Sequence, residues 1–138
     1  MTRKVNDAME VNAPLSVAGK NVLDDLLLFS AQGTLSAGAG QGVFRAPFAI
    51  EILGVTAAVQ TAPTGASILL DLNKNGTTMF TTQGNRPTIA ASATSTSTEA
   101  VPDITAVAIG DVLTIDRDQV GSSTPGSNLS IFIRYRRT

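Results

Sequence analysis

Three clusters hold the side chains able to do chemistry. The first, Asp71-Leu-Asn73-Lys-Asn75-Gly76, repeats the opening of a calcium loop, with oxygen ligands at alternate positions and a glycine at the sixth. Such a loop also needs a bidentate glutamate at the twelfth position, where this sequence has Thr82. The same six residues are fully explained as a strand running into an Asn-Gly hairpin, so no metal is expected. The second cluster is Asp116-Arg117-Asp118, which with Glu51, Asp71 and Asp111 could pair carboxylates for glycosidase-type acid–base work. That chemistry needs carboxyl groups roughly 5–9.5 Å apart, which spacing along a chain does not fix. Trp is absent and Tyr occurs once, so no flat aromatic platform for a sugar accompanies them. A solvated strand end explains the cluster as well, and no catalytic residue is assigned. The third, Arg134-Tyr135-Arg136-Arg137, is the one basic cluster. It suits a phosphate, an acidic partner or a carboxylate on a neighbouring subunit; its plainer role is a charged strand edge that discourages unwanted pairing.

Composition removes much of the remaining chemistry. His is absent, and with it the commonest general base, metal ligand and pH switch. A Ser-His-Asp triad is therefore impossible within the chain. Cys is absent, which excludes disulfides and thiolate catalysis and makes structural zinc untenable. Gly38, Gly40 and Gly42 form a G-x-G-x-G run, but no GK[ST] follows and no helix is due after it. Both nucleotide fingerprints fail, so no cofactor is expected. The net charge of −1 supplies no positive field for nucleic acid. No run approaches the ~20 apolar residues needed to cross a bilayer, and the N-terminus lacks the apolar core of a signal peptide. Synthesis in a cytoplasm is expected, so the sequons at Asn75 and Asn128 carry little weight.

The elements that must position these clusters read as strands. At 138 residues the chain suits about one domain, large enough to bury a core without staples. Residues 1–20 sustain no single period; Val5, Met9, Val11 and Leu15 are scattered among polar residues. They read either as a frayed terminus or as an extended arm whose apolar residues dock on a neighbour. Residues 21–33 fit a helix by spacing but are assigned a strand from about Leu26 to Ala31. Residues 43–80 carry the densest apolar pattern and three of the five Phe residues, Phe44, Phe48 and Phe80. Ile50 and Ile52 alternate on one face, whereas Leu53, Val55, Ala57 and Val59 continue on the other parity. A period-two pattern slips only by an inserted residue, so a bulge is expected near Leu53-Gly54. A Pro63/Gly65 turn leads to Ile68, Leu70 and Leu72. Asn75-Gly76 then predicts a tight hairpin into a strand over 77–82, with Met79 or Phe80 in the core.

Residues 92–98, SATSTST, are an exposed loop or a polar edge strand. Val101 and Ile104 restart the apolar pattern, and Val107 and Ile109 continue it. Leu113 and Ile115 alternate with Thr114 and Asp116. Leu129, Ile131, Ile133 and Tyr135 alternate with Ser130, Phe132 and Arg134, and Phe132 implies some cover on the outer face. Seven or eight short strands with frequent turn signals describe an all-β, antiparallel sandwich or barrel. The arm is placed at residues 1–20 and the sandwich at 21–138.

Four segments carry a family resemblance: GVFRAPFAIEILGVTAAV, TGASILLDLNKNGTTMF, RPTIA and AIGDVLTIDRDQVGSSTPGSNLSIFIRYRR. Together they resemble the lectin-like or tumour-necrosis-factor-like jelly roll of tailed-bacteriophage particles, as in capsid decoration (cement) proteins, including those of short-tailed cyanophages. The resemblance implies an all-β, antiparallel jelly-roll-like β-sandwich with an extended N-terminal arm, forming a homotrimer that binds major capsid protein on the outer capsid surface of the virion, with no enzymatic activity. It also implies an alternative, a fibre or appendage module binding host glycans, which the lack of Trp and of a Tyr-rich tip disfavours. Charged residues make up only 15% of the chain, which fits a surface partly covered by partners. Assembly is assigned to Val5, Met9, Val11 and Leu15 in the arm and to Arg134, Arg136 and Arg137 in the tail.

Overall fold

The computed structural model describes residues 24–138, together with the backbone of 16–17 and 20–21. A two-stranded ribbon, β1 (Ser16–Val17) and β2 (Lys20–Asn21), precedes the main body. It straddles residue 20, where the sequence suggested a boundary. Val5, Met9, Val11 and Leu15 lie outside the described residues.

Two antiparallel sheets make the sandwich. One has the order β3-β11-β5-β9, from β3 (Asp24–Thr34), β11 (Ser127–Arg137), β5 (Ile50–Thr61) and β9 (Ala106–Val107). The other has the order β4-β10-β6-β7, from β4 (Val43–Arg45), β10 (Val112–Gln119), β6 (Ile68–Lys74) and β7 (Thr77–Thr78), with β8 (Thr88–Ile89) also pairing with β6. From β3 to β11 successive strands switch sheets, except that β6, β7 and β8 share one. This alternation is a jelly-roll topology, the one of the sandwich or barrel alternatives that the resemblance implied. The described residues contain no α-helix, only a 3-10 turn at Gln83–Asn85. Asp24–Thr34 is thus a strand, not a helix, and β11 lies between two partners.

Period-two alternation puts one face of each strand inside. Ile68, Leu70 and Leu72 of β6 meet Leu129, Ile131 and Ile133 of β11 in a single core, joined by Leu113 and Ile115. In β5 the buried set passes from Ile50 and Ile52 to Val55, Ala57 and Val59. The pairing explains the slip: Arg134 faces Gly54 and Tyr135 faces Ile52, so Leu53 has no opposite residue. The bulge stands where the phase change placed it.

The Asn-Gly hairpin is present, with Asn75 at φ 51° and Gly76 at φ 82°, the left-handed values a type I′ turn requires. Its return strand is shorter than expected. The Thr78 hydroxyl accepts from the Phe80 backbone N–H at 3.0 Å and donates to Asp71 at 2.7 Å, which turns the chain off the ladder. Met79 and Phe80 both enter the core. Val101 and Ile109 do not: both are exposed, while Pro102 and Val107 take the buried positions. The Ser/Thr tract follows the free side of β5 as a broken edge strand. Val59 donates to Thr94 O at 2.8 Å, Thr96 donates to Ala57 O at 2.9 Å, and Val55 and Ala100 exchange a pair of bonds at 2.7 and 2.9 Å.

Candidate interaction surface

The calcium-like run does not converge. Asp71, Asn73 and Asn75 follow one another along β6 and its turn, so successive ligands lie about 6.6 Å apart at a strand's rise. A calcium ion needs its oxygens within about 2.6 Å of one point. Each residue has its own partner instead. Asp71 accepts from Thr78 at 2.7 Å, Asn73 donates to Asp116 at 2.8 Å, and Asn75 donates to Asp111 at 2.9 Å. Thr82 turns aside to Asp103, donating through its backbone N–H at 2.7 Å. Among the described residues no group of three or more acidic side chains is placed to hold a metal ion.

Of the other carboxylates, Asp116, Asp118 and Asp111 are likewise engaged. Asp116 stands opposite Asp71 in the ladder, yet its second oxygen accepts from Gly40 N–H at 2.7 Å. Asp118 pairs with Arg86 at 2.5 Å. Asp111 caps its own loop, accepting from Ala108 N–H at 2.9 Å. Glu51 lies on the outer face of β5, opposite Arg136. The two sequons are also occupied: Asn75 accepts from Val112 N–H at 2.9 Å, and Asn128 accepts from Gly33 N–H at 2.7 Å.

Asp71 is buried on the outer face of its sheet, and that burial lifts its carboxyl above the usual range, with a further push from the charge of Asp118. The hydrogen bonds from Thr78 and Gln83 oppose the shift. Ionisation therefore costs the folded state more than the unfolded one. Stability falls as pH rises from 3.8 through the raised folded value, and the penalty persists above it. An Asp71→Asn chain keeps an acceptor for Thr78 and loses the buried charge. It should melt higher than the parent at pH 7, with the gain vanishing below pH 3.8; a lower melting temperature at neutral pH would refute this.

The basic tail is tied down within its own chain. Arg134 forks onto Glu99 at 2.7 and 3.1 Å and reaches Asp24 at 3.3 Å. Arg136 bonds Asp24 at 2.9 Å. Arg137 lies over the Phe48 ring, 4.0 Å from its centroid, as a cation–π contact. Gly54 makes the fork possible, because a Cβ there would occupy the space of the Glu99 side chain. The hydrogen bonds from Arg134, aided by its charge and opposed by burial, hold the Glu99 carboxyl below its usual range. Its contribution is present above the unfolded value of 4.5 and is lost as pH falls through the lowered folded value. Glu99→Gln should cost about 0.5 kcal/mol, since the pair is partly solvated. A pH series of urea melts should show the difference at neutral pH and none in acid.

The most unusual surface is the outside of the β3-β11-β5 sheet. On β3, Leu26 is 52% and Leu28 is 55% exposed. Leu28 stands beside Phe132, which stands beside Thr56. Phe132 is half-buried, so the cover expected over it is partial within the chain. The far edge of β3 has no strand partner among the described residues. Eleven residues of regular edge carrying exposed leucines are a template for another chain. The opposite margin of the sheet is blunted by its uncharged Ser/Thr segment.

A polar cleft of about 440 Å³ opens between residues 84–88 and 97–101. Its charged residues, Arg86 and Glu99, are already paired, and no aromatic side chain lines it. The glycine run has a structural use. A Cβ at Gly42 would meet the Phe29 ring, and one at Gly38 would meet the Gln41 amide.

Sequence reasoning missed the partners of the tail, Asp24 and Glu99, and the burial of Arg117. The last was readable from parity, because Arg117 continues the series Leu113, Ile115.

No protein-family model matches the chain, and no curated protein matches it. Among solved structures it is similar to a chain described as "Cyanophage Pam1 capsid asymmetric unit", at 15% identity and a TM-score of 0.48, over 96% of this chain and 99% of that one. A likeness that distant says nothing of what this chain does.

Proposed function

We propose that the chain is a non-enzymatic structural protein of a tailed-phage virion. It forms a homotrimer and binds major capsid protein on the outer capsid surface, stabilising the shell after synthesis in the host cytoplasm. The observation that carries this reading is the asymmetry of one sheet. One margin is blunted by a polar irregular segment, while the other ends in a long strand with no further strand partner among the described residues and with Leu26 and Leu28 exposed. A lone soluble domain protects both margins; a subunit leaves one for its neighbour. A specific contact needs on the order of 1,000 Å², and the β3 edge with the outer face around Phe132 offers a place to begin it. The engagement of Asp71, Asp111, Asp116 and Asp118 supports a non-catalytic role. The arm residues Val5, Met9, Val11 and Leu15 extend the contact to the capsid protein, and Arg134, Arg136 and Arg137 stiffen the margin beside it.

The test is binding to shells of the same virus that lack this chain. Bound chain should raise the temperature at which the shells rupture, and removal of residues 1–20 should weaken binding. Shells that ignore the folded chain would overturn the reading. The polar cleft at 84–88 and 97–101 favours a second reading, an appendage module for host glycans. Retention of defined glycans by the folded chain, lost on Thr98→Arg, would select it over the first.

A further inference from the structure

We propose that the mouth of the sandwich, between β3 and residues 38–42, is a binding site for one carboxylate group, read by Arg117. Strand parity carries Arg117 to the core side of β10, where it is only 8% exposed. Its Nη2 donates to the Oε1 of Gln41. Its Nε is buried with no hydrogen-bond partner, the one such side-chain atom among the described residues. None of the ion pairs among the described residues includes Arg117. A guanidinium withdrawn from water without a counter-charge is costly unless something else neutralises it.

The surroundings suit a small anion. A pocket of about 20 Å³ lies against Arg117, walled by Phe29, Gly42, Ile115, Leu129 and Ile131. That is room for about one water-sized group. Gln41 closes the outside. It is exposed, and its Nε2 is folded back onto Ala39 O at 3.0 Å. Its amide is a neutral plug over a cation, in the place a carboxylate would take. Swinging Gln41 outward enlarges the pocket and frees the guanidinium for the paired hydrogen bonds that carboxylates accept from arginine. The small volume and the largely apolar lining, with Ser30 and Gln41 as its neutral polar residues, favour a carboxylate over a phosphate or a sugar. The carboxylate is either a free small acid or a group offered by a second copy of the chain; the recognition is the same.

Acetate is the probe, against chloride at matched ionic strength. On the full chain, acetate should raise the melting temperature by about 2 °C where chloride does not. It should also move the Arg117 Nε–H resonance. Gln41→Glu supplies the carboxylate in place: that chain should melt about 4 °C higher than the parent and ignore acetate. Arg117→Met keeps the volume without the charge and should fold, also without an acetate response. Sedimentation separates the sources: a fall in mass on adding acetate identifies a carboxylate from a second copy, and binding at constant mass identifies a free acid. The proposal is overturned if acetate and chloride act alike on the parent with the resonance unmoved, or if Gln41→Glu melts no higher.

Discussion

Replacing Leu26 and Leu28 together by glutamate should abolish the proposed self-association and leave the fold intact. Both side chains point away from the core and are more than half exposed, so the isolated sandwich loses almost no packing. In the proposed trimer each would pass from half-exposed to buried, worth about 1 kcal/mol apiece. A glutamate at the same point must instead be stripped of water without a partner. Repeated at every contact, the change weakens association by roughly 100-fold or more. Sedimentation of the double variant should show a monomer whose melting curve is close to that of dissociated parent. An oligomer of unchanged mass would show that the β3 margin is not the contact.

Phe80→Ala has the largest expected effect on the fold itself. Phe80 is fully buried, the largest such side chain in the core. Its backbone is pinned on both sides: its N–H donates to the Thr78 hydroxyl at 3.0 Å, and its carbonyl accepts from Gln83 at 2.7 Å. The surrounding chain therefore cannot collapse into the space left behind, and the cavity cost is felt in full. A loss of about 3–5 kcal/mol is expected, against a total of about 5–15 kcal/mol for a typical domain. A urea titration should show the midpoint falling sharply at unchanged slope. A shift under about 1 kcal/mol would mean that the β7 turn repacks.

Local pattern carried much of this architecture. The parity change between Ile52 and Val55 located the bulge because a period-two code has no other way to slip. Asn75-Gly76 located the hairpin because few residues accept left-handed backbone at adjacent positions. The calcium-like run dissolved for a related reason: ligands at alternate positions of a strand share a face but not a point. What local pattern could not supply was long-range partnership. Glu99 meets Arg134 only because the bulge at Gly54 opens a place for it, and Asp24 meets the tail only through the β3–β11 register. Ile109 looked like core because it continues an alternation, yet it precedes the turn at Gly110 and never reaches the second sheet. Arg117 was hidden by its own charge, since an arginine between two aspartates reads as surface. The exposure of Leu26 and Leu28 was invisible in sequence, where they resemble any buried pair.

The mass of the full-length chain in solution tests the central claim most directly. Sedimentation equilibrium at micromolar concentration should return three times the 14.2 kDa chain mass, falling to a single chain when Leu26 and Leu28 carry glutamate. A parent that stays a single 14.2 kDa chain at every concentration would contradict the account.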